Sequence, residues 1–415
     1  MPNSSRKAIT VLIAVCTFLF TVFVTFTFST YLVSGQASGL KDAEAPASEK
    51  ANLSFDRLED IYTILLDEYY EDVDPNELIL GAINGMVSTL DDPYTEYSTP
   101  RQMSDTETSR NGNYVGIGVS VMSFDDGYIY INRVFRDTPA LEAGLRKGDI
   151  IASADGKELN ITDEFTLSDA VSYIKGEEGT FVKLGILRGD ERFEADVERK
   201  SVIENRVDRL MLDNGIAYLR LYDFFGNAVN AVDEAIAYFR ENGAQAIIFD
   251  LRDNGGGDLD IAIALADRFM PEGIVTYTEN RKGERMYYRS DADSVGLPLA
   301  VIINEYSASA SEVFAGAVQD SNTGVLVGTK SYGKGIVQTE YHFADDGAGF
   351  KLTTSTYYTP GGRCIHGTGL TPDIEAEASE ITQETLTTDA SPETDSQLKA
   401  AYEYLLEQIT NTKTP

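Results

Sequence analysis

Residues 304–312 read Asn-Glu-Tyr-Ser-Ala-Ser-Ala-Ser-Glu, the densest run of small side chains in the sequence. It follows an apolar strand-like stretch, Leu299–Ile303, and leads into a helical pattern over Ser311–Asp320. An exposed serine nucleophile needs that setting: little bulk around it, and helix-end N–H groups that favour negative charge. The same letters also make a capping box, Ser309-x-x-Glu312, in which Ser309 only terminates a helix. The segment alone supports both readings equally.

Two further segments carry possible chemistry. Gly328-Thr329-Lys330-Ser331-Tyr332-Gly333-Lys334-Gly335-Ile336-Val337-Gln338 is glycine-rich, yet it fails as a phosphate loop because Gly335 follows the lysine. If 334–338 is extended, Lys334, Ile336 and Gln338 share a face. A lysine between glycines and beside an apolar strand can be desolvated, which lowers its pKa and makes it a base. A surface lysine beside a turn is the plainer alternative. Asp250-Leu251-Arg252-Asp253-Asn254-Gly255-Gly256-Gly257-Asp258 fails as a calcium loop, since counting from Asp250 puts Arg252 and Ile261 at ligand positions. It reads either as an ordinary strand-to-helix turn or as a glycine turn offering N–H groups to an oxyanion. Histidine chemistry has two candidates. His342 alternates with Tyr341 and Phe343 in a strand and reads as structural; His366, in a glycine-rich turn, is less easily dismissed.

These segments need elements to hold them. Residues 210–375 form an α/β unit: strand Ile216–Leu221, helix Asn227–Asn242, buried strand Ala246–Leu251, helix Leu259–Phe269, strand Leu299–Ile303, helix Ser311–Asp320, then strands Val325–Gly328 and Ile336–Phe343. Before it, residues 114–200 alternate with period two around short helices at Pro139–Leu145 and Leu167–Ile174, which describes a compact, partly open barrel. Earlier still, Leu58, Ile61, Ile64 and Leu65, then Leu78, Leu80, Ile83 and Met86, recur at helical spacing, with a turn at Asp91-Asp92-Pro93 and polar residues to Asn113. The tail from Glu380 is Thr/Asp/Ser/Glu-rich and closes on an amphipathic helix, Leu398–Ile409.

At the amino terminus, Arg6 and Lys7 precede an uncharged stretch, Ala8–Val33, longer than the apolar core of a cleaved signal. It reads as a retained signal anchor, and the positive-inside rule places all that follows outside the cytoplasm. Composition narrows the classes further. The 415 residues carry 34 Lys+Arg against 67 Asp+Glu, a net charge of −33, which argues against a nucleic-acid partner. Two cysteines, Cys16 and Cys364, and two histidines exclude a disulfide framework and a Cys- or His-rich metal centre; no metal or cofactor is expected. The acidity reads as solubility. Anionic lipid would repel it, so membrane attachment should rest on residues 8–33 alone.

Taken together, these motifs resemble the carboxyl-terminal processing (tail-specific) serine proteases, from about residue 55 to 375. Tyr69-Tyr70 through Asp92-Pro93-Tyr94-Thr95-Glu96-Tyr97-Ser98-Thr99-Pro100 is similar to the family's helical amino-terminal segment. Residues 114–200 resemble its PDZ domain, with Gly116-Ile117-Gly118-Val119 at the carboxylate-binding loop. Asp250-Leu251-Arg252-Asp253-Asn254 with Gly256-Gly257, the run 307–312, Gly333-Lys334-Gly335 with Gln338, and Gly369-Leu370-Thr371-Pro372-Asp373 resemble its protease core. The resemblance implies a multidomain α/β plus PDZ chain: 1–37 cytoplasmic stub and transmembrane signal anchor, 38–54 linker, 55–112 helical region, 113–200 PDZ domain, 201–378 protease core, 379–415 acidic linker and helix. It further implies a Ser-Lys endopeptidase in which Ser309 is the nucleophile, Lys334 the base and Gln338 its orienter. The family's serine-to-lysine spacing selects Ser309 over Ser307 and Ser311. Ala310 N–H and a glycine N–H of 255–257, Gly256 by preference, would form the oxyanion hole. Protein substrates with exposed C-termini, a PDZ-gated site and a homodimer are implied as well. Gly255, Cys364 and His366 depart from the family's usual Pro or Ser, Ser, and Gln. A catalytically silent PDZ scaffold and a His-dependent hydrolase are the competing expectations.

Overall fold

A computed structural model describes residues 54–124, 126–162, 165–291, 293–379 and 390–412. The chain divides into two units, Met1–Ile79 and Leu80–Pro415. The first contains the helix Phe55–Glu68, and a second helix, Pro75–Ser88, begins in it. Among the described residues no helix is long and apolar enough to cross a membrane. The expected anchor, residues 8–33, lies outside them, as does Cys16.

The second unit opens with a short strand, Glu96–Ser98, and a helix, Pro100–Asn111. The polar stretch before Asn113 gives no periodic signal for that helix. Next comes a barrel-like sheet ordered Val119–Ser123, Ile129–Val134, Ile150–Ala154, Phe181–Arg188, Glu191–Glu198. Its alternating residues Ile129, Ile131, Val182, Leu184 and Ile186 are buried in one core, as period-two patterning requires. The helix Leu167–Ile174 starts where Thr166 and Asp169 form a reciprocal capping box. The helix expected over Pro139–Leu145 stops at Glu142, and Gly144 (φ +75°) turns the chain away.

The larger core is a six-stranded sheet ordered Val207–Met211, Ile216–Leu221, Ala246–Asp250, Leu299–Ile303, Gly324–Gly328, Ile374–Glu375, parallel after its first antiparallel pair. Neighbouring residues of one strand serve opposite faces. Ile247 and Phe249 meet the helices Ala228–Glu241, Leu259–Phe269 and Ala310–Asp320. Ala246 and Ile248 meet Leu398, Ala401 and Leu405 of the terminal helix Ser396–Thr412. Both faces are therefore buried, which is why these strands read as continuous apolar runs rather than alternations. Phe249, Phe269 and Phe314 cluster with centroids 4.6–5.7 Å apart, each pair adding about 0.5–1.5 kcal/mol beyond burial.

A second, five-stranded sheet joins Glu96–Ser98, Gly349–Tyr358, Gly273–Asn280 and Arg285–Ser290, with Ile336–His342 also on Gly349–Tyr358. The hairpin Gly273–Ser290 and strand Gly349–Tyr358 went unread in the sequence, because none of the three strands alternates: Gly273–Asn280 buries four consecutive residues, Arg285–Ser290 is mostly exposed, and Gly349–Tyr358 is half-buried along nearly its whole length. One expectation is corrected here. The strand begins at Ile336, and its pairing slips between Val337 and Gln338, so Lys334 does not share a regular strand face with Gln338.

Candidate active site

The parallel strands Ala246–Asp250 and Leu299–Ile303 end side by side, and their following loops meet. Ser309 lies in the second loop, one residue before the helix Ala310–Asp320, with φ 57° and ψ −115°. A non-glycine residue holds such a conformation only when its surroundings over-determine it. They do here. Its C=O accepts from Val313 N–H and Glu312 N–H, each at 2.9 Å, and from Tyr357 Oη at 3.1 Å. Its N–H donates to Glu312 Oε2 at 2.9 Å.

The three serines of the run now separate. Ser307 is fully buried and donates to Leu251 C=O at 2.8 Å. Ser311, equally buried, donates to Asn254 C=O at 2.8 Å. Both fasten the run to the neighbouring loop. Ser309 alone of the three is partly exposed.

The glycine turn abuts Ser309. A Cβ on Gly256 (φ +102°) would stand 2.7 Å from Ala308 O and 2.9 Å from both Ala310 N and Ser309 Cβ, so only glycine fits. Its N–H, expected as an oxyanion donor, is engaged: it donates to Asn254 Oδ1 at 2.9 Å. The cause is local, an Asx turn closed by a buried asparagine whose amide also donates to Leu221 C=O at 2.9 Å. Ala310 N–H and Gly257 N–H, by contrast, make no hydrogen bond among the described residues. The loop is tied down from behind. Burial would raise the Asp250 carboxyl, but Arg252 and Arg220 outweigh it and hold it at about 2. Arg252 also pairs with Asp395 at 2.7 Å, joining this loop to the terminal helix.

Glu312 has a role that the sequence reading missed beyond its part in the cap. The carboxylate is fully buried and accepts four hydrogen bonds: Ser309 N–H (2.9 Å), Lys334 N–H (2.9 Å), Gly333 N–H (2.7 Å) and Ser331 Oγ (2.5 Å). Burial pushes its pKa up and those bonds pull against it. It joins the serine turn to the lysine loop. Only the coincidence of a capping-box acid with a nearby glycine-rich loop could have signalled this.

Lys334 is half-buried, and burial first, then the charge of Lys351, lowers its pKa; Asp92 opposes them. The flanking glycines permit that burial, since a Cβ on Gly335 would lie 2.6 Å from His366 N. No hydrogen bond joins Lys334 to Ser309 among the described residues. Its Nζ sits 4.5 Å from the centroid of the Tyr94 ring. Gln338 Nε2 donates to Thr353 Oγ1 at 3.1 Å, and its Oε1, the atom that can accept from an ammonium, makes no hydrogen bond to the lysine among the described residues. The structure thus brings Ser309, Glu312 and the lysine loop together, but leaves the Ser309 and Lys334 side chains unjoined. His342 and His366 are exposed, and neither imidazole hydrogen-bonds to a serine or carboxylate among the described residues.

Gly116, Ile117, Gly118 and Val119 line a cavity of about 520 Å³ with Val171 and Ile174 of the barrel helix, and with Asp105 and Thr108 of the helix Pro100–Asn111. The carbonyls of Ile117 and Gly118 are consumed internally by Ala140 N–H and Phe135 N–H, each at 2.9 Å. The N–H groups of Ile117 and Gly118 make no hydrogen bond among the described residues. Unpaired N–H groups beside apolar walls suit a peptide carboxylate and its last side chain. Among the described residues no cluster of His, Cys, Asp and Glu could hold a metal ion.

Family profiles match in the same order: "Activating protease CtpB N-terminal domain" at 17–101, a PDZ domain at 115–198 and "Peptidase family S41" at 215–376. A probable CtpA-like serine protease of Staphylococcus saprophyticus is 32% identical over 371 residues, covering 88% of this chain and 73% of that one. One from Staphylococcus aureus strain N315 is 33% identical over 331 residues, covering 79% of this chain. That alignment spans 65% of the Staphylococcus aureus protein's length. Among solved structures, a photosystem II D1 C-terminal processing protease superposes with TM-score 0.50 at 26% identity, covering 82% and 93% of the two chains. A putative S41 protease from Bacteroides fragilis gives 0.61 at 17% identity, covering 84% and 97%, a likeness of fold.

Proposed function

Since the chain belongs to peptidase family S41, the carboxyl-terminal processing proteases with a PDZ domain, we propose that it is a serine endopeptidase that selects proteins by their C-terminal tails. The observation that carries this reading is the strained Ser309, the one partly exposed serine of its run, set against a glycine turn and the unpaired Ala310 N–H.

In the proposed mechanism neutral Lys334 takes the Ser309 proton as Oγ attacks a peptide carbonyl. The oxyanion is received by Ala310 N–H and the glycine turn. Gly256 N–H serves only after leaving Asn254; Gly257 N–H is already disengaged. Lys334 then protonates the departing amine, and water repeats the sequence on the acyl-enzyme. Gln338 orients the lysine through Oε1, the amide atom that can accept from an ammonium, while its Nε2 donates to Thr353. The lysine's depressed pKa supports its role, because a base must spend time uncharged at working pH. The groove at Gly116–Val119 takes the substrate tail, and the domain division stated from the sequence goes with this reading.

Residues 8–33 are proposed to anchor the enzyme in the cell membrane with the catalytic part extracytoplasmic, on the strength of Arg6 and Lys7 before the apolar run. A homodimer is proposed from the family resemblance. Cleavage of an unstructured protein tests the core of the reading. Ser309→Ala and Lys334→Ala should abolish it, and amidating the substrate's C-terminus should weaken it. Activity surviving Ser309→Ala would remove the nucleophile from the scheme, and indifference to amidation would remove tail selection.

A further inference from the structure

The geometry points to Tyr94 as a positioning residue that parks the Lys334 ammonium away from Ser309 in the resting protein, with the helix Pro100–Asn111 as the lever by which a tail in the groove releases it. The inference rests on the Ser-Lys reading above.

An ammonium over an aromatic face is attracted to the ring's negative centre, and the attraction exists only while the lysine is charged. With Nζ 4.5 Å from the Tyr94 centroid and no hydrogen bond to Ser309, the lysine lies on a ring that favours its charged form and is not placed to take the serine's proton. A general base has to be neutral and within about 2.6–3.2 Å of its target. Parking at Tyr94 therefore competes directly with catalysis.

Tyr94 is fixed in place. Its N–H donates to Asp92 Oδ1 at 3.0 Å, and Thr95 Oγ1 donates to Asp92 Oδ2 at 2.6 Å. Thr95 Oγ1 also accepts from Thr353 N–H at 3.1 Å, and the Thr353 hydroxyl in turn accepts from Gln338 Nε2. Glu96–Ser98 pairs with Gly349–Lys351. One turn thus holds the lysine through its ring, and the strand it is fastened to holds the glutamine.

The same segment continues to the groove. After Glu96–Ser98 the chain enters Pro100–Asn111, whose Asp105 and Thr108 line the cavity beside Gly116–Val119. Arg110 at the end of that helix pairs with Glu340 on the strand following Lys334. A peptide entering the cavity meets this helix at Asp105 and Thr108, and a short continuous stretch of backbone joins the helix to Tyr94, the path by which a shift would travel.

Asp92 on the turn and Lys351, paired with Glu96, act on the Lys334 charge, and Tyr94 presents its ring; around them, Tyr332 contacts the Tyr94 hydroxyl, Glu312 accepts from the Lys334 N–H, and the His366 backbone lies beside Gly335. Burial and Lys351 push the lysine's pKa down and Asp92 opposes them; an aromatic face is attracted to the charged form alone.

The experiment measures initial rates against pH for a short internally quenched peptide with no recognisable tail, using the full chain. It is run with and without a separate peptide ending in an apolar residue and a free carboxylate. Tyr94→Leu should move the acid limb down by about half to one pH unit, about 3–10-fold faster on the acid side. The tail peptide should move the wild-type limb the same way and add nothing to Tyr94→Leu. Tyr94→Phe keeps the ring and should keep the wild-type limb. Fluorinated phenylalanines at position 94 conserve shape while weakening the ring face, so the limb should fall stepwise with fluorination; this series decides if Tyr94→Leu does not fold. A wild-type limb in Tyr94→Leu, or a limb indifferent to fluorination, overturns the parking role. A tail peptide that leaves the wild-type limb unmoved overturns the lever. Lys334→Ala that still cleaves would instead overturn the Ser-Lys reading itself, whatever Tyr94 does.

Discussion

Around Ser309 the neighbours are buried and joined by short hydrogen bonds: Ser307 and Ser311 to the 251–254 loop, Asn254 to Gly256, and Glu312 to four donors. Around Lys334 the side-chain contacts are a ring face and a strand that is mostly exposed or half-exposed, with Gln338 turned to Thr353. On the proposed Ser-Lys reading the difference separates two tasks. A nucleophile and its oxyanion donors must be preorganised before substrate arrives, because reorganisation during the reaction is costly. A base that is to be switched must have somewhere else to go. Rigidity on one side and an alternative partner on the other are what the proposed switch of Lys334 requires.

If the serine side is held by a polar network, removing its hub should do the most damage. Glu312→Ala leaves the N–H groups of Ser309, Gly333 and Lys334 and the Ser331 hydroxyl without their acceptor in a buried site. We expect a loss of about 3–5 kcal/mol, read as the urea midpoint, together with loss of cleavage. Glu312→Gln keeps one acceptor oxygen and should lose less. A loss under about 1 kcal/mol in the alanine variant would show that the serine side is no more tightly specified than the lysine side.

Gly256→Ala strikes the same half more locally. The added methyl meets the backbone of Ala308 and Ala310, and φ +102° strains any residue with a Cβ. The turn must shift beneath Ser309, and about a 10²–10³-fold fall in kcat is expected, the size of losing one oxyanion donor. The thermal midpoint should fall much less than in Glu312→Ala. Unchanged kcat would mean that the glycine turn stands outside the reaction.

The two halves were also unequally legible. The strands Ala246–Asp250 and Leu299–Ile303 were plain as apolar runs, because both faces are buried, and the helix that follows Ser309 was announced by its capping letters. Family spacing then named Ser309 and Lys334. What the sequence could not carry was direction. Asn254 claiming the Gly256 N–H, Gln338 turning to Thr353, and Lys334 lying on Tyr94 are choices among partners that composition permits equally. Glu312 went unrecognised as a hub for a related reason: three of its four donors are backbone or loop groups brought near by the fold, and only its bond to Ser309 N–H belongs to the local cap. The polar helix Pro100–Asn111 lacks an apolar stripe, so no periodicity announced it.

The smallest expected effect lies on the lysine side, and its sign opposes the others. Burial lowers the Lys334 pKa below its unfolded value, so between the two the unfolded chain binds more protons than the folded one. Stability therefore rises with pH through that window and is lowest below the folded pKa, where a charged lysine is held in a half-buried place. Lys334→Met removes that penalty while keeping a long apolar side chain for the Tyr94 ring. At neutral pH the variant should be inactive yet no less stable than the wild type, gaining at most about 0.5 kcal/mol after solvent screening. The gain should vanish as the pH approaches the ordinary lysine range near about 10.4. Urea melts of both proteins from pH 7 to pH 10 measure the difference. A clear destabilisation by Lys334→Met at pH 7 would mean that the lysine is anchored as firmly as the serine, and the contrast between the two halves would fail.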